Sequence, residues 1–264
     1  MTPRLELVDV DVRLGGVHAV RGLSLAVAPG EIRGLIGPNG AGKTTVINAI
    51  TGAVPLAGGA IRLDGHDIAG LPAHEVSRRG VGRTFQHVEP FGDLSVLDNV
   101  LVGAGRSHRS HVVAQALALP RARERERRLH AFAMETLEAF GLAHVAYARA
   151  DSLPFGLLKR MDLARSMAAA PRLLLMDEPT SGMSESEADR AIAVARELAS
   201  ARDITLIVVE HNMRVMMALA ERITVIQFGS FVAEGTPEQV QVDPLVVDAY
   251  LGEEAVDVDT AAVP

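Results

Sequence analysis

The chain contains no cysteine and no tryptophan, few aromatics of any kind and no excess of positive charge. Each absence removes a class of function. Without cysteine, disulfides and thiolate metal sites are excluded, which fits a reducing compartment. Aromatic residues make up 3% of the chain against 48% apolar residues overall, so the core has to be mostly aliphatic. A net charge of −7 at pH 7 argues against bare nucleic acid as a primary partner, because such binding wants a basic footprint. No window approaches the ~18 to 20 consecutive apolar residues of a spanning helix. The opening MTPRLELVDVDVRL also lacks the apolar run of a secretory signal. The chain is therefore expected to be soluble and to meet a membrane only through a partner. Its 264 residues suit one α/β domain carrying a smaller subdomain.

Residues 4 to 36 read as strands with turns: LELVDVDVRL alternates, Gly15-Gly16 turns, and Leu23 to Val27 alternates again before Pro29-Gly30. A short strand from Arg33 to Ile36 runs into a glycine-rich stretch, and Thr44 to Ile50 reads as a helix stopped by Gly52. AIRLDGHDI adds a second β-rich piece ending near Gly70. From Asp93 to Leu153 the character turns to Ala, Leu, Arg and Glu at helical spacing, and RARERERRLHAFAMETLEAF suits one exposed amphipathic helix. Its mixed charges fit a solvated face, with a partner-binding role as the alternative. After Pro171 comes a βαβ rhythm: strand Leu173 to Met176, helix Glu185 to Ser200, strand Ile204 to Val209, helix Met213 to Ala220, strand Ile223 to Ile226. That rhythm implies a parallel sheet with helices packed over it. The tail from residue 253, acidic and rich in small residues, is expected to be disordered.

Two motifs carry chemistry. Gly37, Pro38, Asn39, Gly40, Ala41, Gly42, Lys43 and Thr44, followed by Thr45, match G-x-x-x-x-G-K-[ST] after a strand and before a helix. Backbone N–H groups turn inward around a phosphate only where side chains are absent or small, and the helix N-terminus adds partial positive charge beneath it. Lys43 then neutralises β- and γ-phosphate oxygens, and the Thr44 hydroxyl ligates Mg²⁺. The bland alternative is a glycine-rich turn that happens to precede a lysine. The second motif, LLLMDEP, is an apolar strand ending in two carboxylates. The carboxyl end of a parallel strand is where α/β folds place ligands, so Asp177 is the metal candidate and Glu178 the general base for an attacking water. Taken alone, the acid pair also suits a helix N-cap. Gln86 and His211 stand out as further polar residues. Spacing leaves both undecided, although each follows a strand.

Together GPNGAGKT, RTFQ, LLLMDEPTSGM and VVEHNM resemble the nucleotide-binding subunits of ABC transporters, and the match is closest to the branched-chain amino acid type. The resemblance runs over about residues 4 to 252 and includes RTFQHVEPFGDLSVLDNV and the ending GTPEQVQVDPLVVDAYLG. It implies a P-loop NTPase cassette in one domain, 1–252. A parallel-sheet core with an N-terminal antiparallel β subdomain (1–87 and 166–252) would carry an inserted α-helical subdomain (88–165). It further implies that Gln86 contacts Mg²⁺ or the attacking water and that His211 contacts the γ-phosphate. The base would lie near Leu14 and Val20. ATP and Mg²⁺ are the implied cofactors. The implied partners are a second ATPase subunit, membrane permeases reached near Phe91 and Leu94, and indirectly a solute-binding protein. The place of work would be the inner face of the cell membrane.

Three departures from the family pattern matter. The signature L-S-G-G-Q appears as Leu153, Pro154, Phe155, Gly156 and Leu157. Pro154 and Leu157 lack the hydroxyl and amide that would bond a partner's γ-phosphate, and a charge-assisted bond is worth ~1.5 to 3 kcal/mol. Leu14 stands where the family has an adenine-stacking aromatic, a difference of about 1 kcal/mol. Ser184 stands where an acid or amide is commoner. The expectation is a heterodimer with two unequal sites, with a homodimer as the alternative. Other readings are the ATPase of a lipid or lipopolysaccharide exporter, and an ATP-binding partner that does not hydrolyse. A non-transport ATPase acting on ribosomes or DNA usually needs two cassettes or a long coiled-coil insertion, and neither is present here.

Overall fold

A computed structural model describes residues 2–84, 88–106 and 120–250. Alternation of apolar residues builds an antiparallel sheet first. Strand β1 (Leu5–Leu14) pairs with β2 (Val17–Val27) and with β4 (Gly58–Leu63), and β5 (His66–Asp67) completes the order β2-β1-β4-β5. Leu5, Leu7, Val10 and Val12 all point inward although the last two are out of step with the first two. A register shift between Leu7 and Val10, with Asp9 at φ 48°, absorbs the extra residue as a bulge. Strand β2 begins six residues earlier than Leu23, because Val20 and His18 continue the pairing with Val12 and Arg13.

The second sheet has the order β10-β9-β3-β8-β7-β6. It comprises β3 (Ile32–Ile36), β6 (Val81–Arg83), β7 (Leu173–Asp177), β8 (Thr205–Val209), β9 (Arg222–Gln227) and β10 (Ser230–Gly235). All its neighbours pair in parallel except β10, which returns antiparallel on β9. The central strands are buried on both faces, as continuous aliphatic runs require. Leu173, Leu175, Ile207 and Val209 enter one core with the antiparallel sheet and the helix after β3, while Leu174, Met176, Leu206 and Val208 enter the other.

Eight helices are described: α1 (Lys43–Ile50), α2 (Ala73–Arg78), α3 (Val96–Arg106), α4 (Pro120–Ala139), α5 (Phe155–Ala168), α6 (Glu185–Ala201), α7 (Met213–Leu219) and α8 (Pro237–Gln241). Helices α3, α4 and α5 fall between β6 and β7 in the chain and share one core through Val100, Leu137 and Met161. On α4 the charged run Arg123 to Arg128 faces solvent, apart from half-buried Arg125, while Ala133 and Leu137 are buried. Residues 253–264, expected to be disordered, lie outside the described residues. Among the described residues no helix is long and apolar enough to cross a membrane.

Strands β3, β8 and β7 lie side by side and run the same way. The loops leaving their carboxyl ends therefore converge, and those loops hold Gly37–Gly42, Glu210-His211 and Glu178.

Candidate nucleotide site

The loop from β3 to α1 takes its shape from two glycines. Gly37 has φ 154°, and a Cβ there would stand 2.0 Å from the Ile226 carbonyl oxygen. Gly42 has φ 102° and caps α1, and its Cβ would meet the Ala19 carbonyl oxygen at 2.6 Å. Real Cβ atoms do not tolerate such distances, so both positions need glycine for space as well as for conformation. The loop wraps around the Lys43 ammonium, which donates to the carbonyl oxygens of Gly37 at 2.6 Å and Pro38 at 2.8 Å. Lys43 is buried while Asn39, Gly40 and Thr44 are exposed.

These residues floor a cavity of about 400 Å³. Asn39 through Thr45 line it from the loop and the first turn of α1, Glu178 and His211 from the ends of β7 and β8, and Val17, His18, Ala19, Arg21 and Phe228 from β2 and the β9–β10 turn. His211 Nε2 lies 3.2 Å from Glu178 Oε1. Glu178 sits at φ 49°, a conformation side chains other than glycine rarely adopt. Its N–H donates to the Val209 carbonyl at 2.8 Å, and its own carbonyl accepts from Lys159 Nζ at 3.4 Å. Neighbouring strand and helix thus hold the residue in a strained shape, a pattern that clusters at functional sites.

Asp177, one residue earlier, is buried at the carboxyl end of β7. Its side chain is 4% exposed, and Arg83 Nη2 reaches its Oδ2 at 3.2 Å. Burial pushes the Asp177 carboxyl up and Arg83 pulls it back without cancelling the rise. Asn48 on α1 accepts from the other arm of Arg83 at 2.6 Å. Thr44 and Asp177 offer the hard oxygens that Mg²⁺ selects. Among the described residues no group of three or more His, Asp or Glu side chains can hold a metal unaided, so a cation here fits only with phosphate oxygens as further ligands.

Several expected residues fall outside the cavity. Val20 has no exposed surface, because its position on β2 faces Val12 and the core. It is therefore no base contact, and the parity of the strand is the reason. Leu14, 38% exposed, does not line the cavity either. Gln86 lies outside the described residues. Pro154 caps α5, Phe155 packs its ring against Gly182, and none of Leu153, Pro154, Phe155, Gly156 or Leu157 lines the cavity of this chain. Ser184 has a local role as the N-cap of α6, where its N–H and hydroxyl both donate to Glu187 Oε2. Val17, His18, Arg83, Lys159 and Phe228 escaped the sequence reading. Only the neighbouring Gly15-Gly16 turn marks Val17 and His18, Arg83 opens the RTFQ motif without a role of its own being read there, and no local signal marks Lys159 or Phe228.

A glycine cradle at the end of a parallel strand, closed by an acid–histidine pair from the next two strands, defines a P-loop nucleotide-binding cassette. Residues 20–181 match the model of the ABC transporter family. Residues 232–256 match that of the branched-chain amino acid ATP-binding cassette transporters. The chain is 40% identical over 251 residues to the high-affinity branched-chain amino acid transport ATP-binding protein BraF of Pseudomonas aeruginosa, covering 95% of this chain and 98% of that one. To the corresponding LivG of Escherichia coli it is 38% identical over the same coverage. The ADP conformation of MJ1267, an ATP-binding cassette of an ABC transporter, superposes with a TM-score of 0.80 at 28% identity, over 96% of this chain and all of that one. The chain belongs to the ABC transporter family as an ATP-binding, ATP-hydrolysing subunit. Such cassettes work as dimers with membrane permeases.

Proposed function

We propose that this subunit powers import of branched-chain or related amino acids through separate permeases, at the cytoplasmic face of the cell membrane. The relatives BraF and LivG are named for that transport, and the carboxyl-terminal match supports the same subtype. A solute-binding protein outside the membrane would deliver the cargo. Exposed Phe91 and Leu94, ahead of α3, offer the permeases an apolar foothold.

The observation that carries the chemistry is the Glu178–His211 pair at 3.2 Å on the wall of the phosphate cavity. The loop N–H groups and Lys43 hold the triphosphate by its β and γ oxygens. The Glu178 carboxylate takes a proton from water as the water oxygen bonds to the γ-phosphorus, and the bond to the β–γ bridging oxygen breaks to leave ADP and phosphate. His211 orients the carboxylate and reaches the γ-phosphate. Thr44, Asp177 and Gln86 would hold Mg²⁺, which supplies positive charge at the phosphate oxygens when bound.

Each site of a dimer also needs the signature loop of the opposite subunit. Leu153 to Leu157 offers the Gly156 N–H and the start of α5 but neither hydroxyl nor amide. The reading is therefore a heterodimer in which this chain's own P-loop site, completed by a full signature from its partner, turns over faster than the opposite one. Glu178→Gln and the equivalent change in the partner, made separately in the assembled complex, test this. The first should remove most ATPase activity, on the order of 10²-fold or more for a lost general base, and the second much less. Equal losses refute the asymmetry. ATP-driven leucine uptake by proteoliposomes carrying the permeases tests the cargo, and ATP turnover that ignores leucine and its analogues counts against it.

A further inference from the structure

We propose that Phe228 is the aromatic face on which the base of the bound nucleotide stacks, a role for which Leu14 offers no ring. The inference rests on ATP occupying the 400 Å³ cavity. The lining of that cavity divides by chemistry. Gly40 to Thr45 with Glu178 and His211 suit the phosphates. That leaves Val17, His18 and Phe228, from β2 and the β9–β10 turn, as the lining that can meet the ribose and base. Phe228 is the one phenylalanine, tyrosine or tryptophan among the residues lining the cavity.

Nothing in the fold itself asks for phenylalanine at this position. The side chain is 73% exposed, so it fills no core. Its backbone lies at φ 48° in the turn between β9 and β10, where glycine or asparagine fits without strain and a bulky residue is an outlier. A bulky residue kept on a strained backbone is a pattern that clusters at ligand clamps and active sites.

The turn is also rigidly held. The Gly229 N–H donates to the Ala41 carbonyl at 2.9 Å, and the Arg21 N–H donates to the Gly229 carbonyl at 2.8 Å. A Cβ on Gly229 would meet the Ala19 carbonyl oxygen at 2.6 Å, which shows how closely the turn is seated on β2. The root of the Phe228 ring is therefore fixed against both the phosphate loop and β2. A ring held in this way is a preorganised stacking face, which lowers the ordering cost of binding.

Calorimetric titration of the full chain with ATP, and with inorganic triphosphate as a probe without a base, tests the proposal. Phe228→Ala should weaken ATP about tenfold, or ~1.4 kcal/mol, and leave inorganic triphosphate unchanged. Phe228→Tyr should bring ATP back to within about twofold of the parent, and Phe228→Asn, which suits the turn, should lose as much as alanine. The proposal is overturned if Phe228→Ala leaves ATP affinity intact, if it weakens both ligands equally, or if tyrosine fails to restore binding. Lys43→Ala run alongside should weaken both ligands. If instead Lys43→Ala changes neither, the nucleotide assignment of the cavity fails, a result distinct from failure of Phe228.

Discussion

Arg33→Met should cost this chain about 3 kcal/mol of folding stability at pH 7, toward the lower end of what breaking a buried ion pair costs. Arg33 is 3% exposed near the start of β3. Its guanidinium donates to Glu31 Oε1 at 2.6 Å, to Thr224 Oγ1 at 2.9 Å, to the Ala26 carbonyl at 3.0 Å, and to Glu234. It joins β2 of one sheet to β9 and β10 of the other. Methionine matches its length but leaves Glu31 with only the Ala28 N–H. Glu234 keeps Arg222 at 2.8 Å, which moderates the loss. The pH dependence supplies a second reading. Partial burial raises the Glu234 carboxyl, but the hydrogen bond from Arg222 and the charge of Arg33 outweigh burial and hold it below the ordinary glutamate range. A depressed folded-state value means that this stabilisation is complete above the unfolded-state value. It fades as pH falls through the folded-state value. The deficit of Arg33→Met should therefore shrink between pH 7 and pH 4, because the stranded carboxylates can then take protons. Urea unfolding at both pH values measures it. A deficit under about 1 kcal/mol at pH 7, far below the range for a broken buried pair, or one that does not change with pH, would refute the network.

Two further outcomes are expected. Gly42→Ala places a methyl 2.6 Å from the Ala19 carbonyl at φ 102°. It should lower stability by about 1 to 3 kcal/mol and weaken ATP binding, both readable by thermal melts with and without nucleotide. Unchanged melts would contradict the loop geometry. Lys159, 3% exposed on α5, faces the charges of Asp162, Glu178, Glu210 and Asp177, and burial pushes its ammonium down. Lys159→Met should cost about 2 to 4 kcal/mol and slow turnover through the Glu178 carbonyl it holds, with Lys159→Arg recovering part of both. A methionine variant of parental stability and rate would remove Lys159 from the account.

What the sequence displayed was whatever chemistry is local along the chain. The spacing of Gly37, Gly42 and Lys43 is one, and the aliphatic run of β7 ending in two acids is another, since each depends on neighbours in sequence. The alternating helices and strands after Pro171 were legible for the same reason, to within a residue or so at each end. Strand β6 was not, because three residues carry no period. It exists by pairing with β7 and by the Thr84 N–H bonded to the Leu175 carbonyl at 2.9 Å. Val20 was misplaced because one residue of register decides which face of β2 it takes. Arg33 interrupts an apolar strand and looks foreign to a core until Glu31, Thr224 and Glu234 are seen around it. Phe228 becomes meaningful only when a turn about 190 residues from the phosphate loop is folded against Ala19 and Ala41.

The affinity of the folded Lys43→Ala chain for ATP, compared with the parent and joined to its turnover in the reconstituted transporter, bears most directly on the whole account. Loss of this charged donor should weaken ATP on the order of ten- to a hundredfold, matching ~1.5 to 3 kcal/mol for a charge-assisted bond, and turnover should collapse. An alanine variant that binds and hydrolyses ATP like the parent would show that the cradle around Lys43 does not grip the triphosphate.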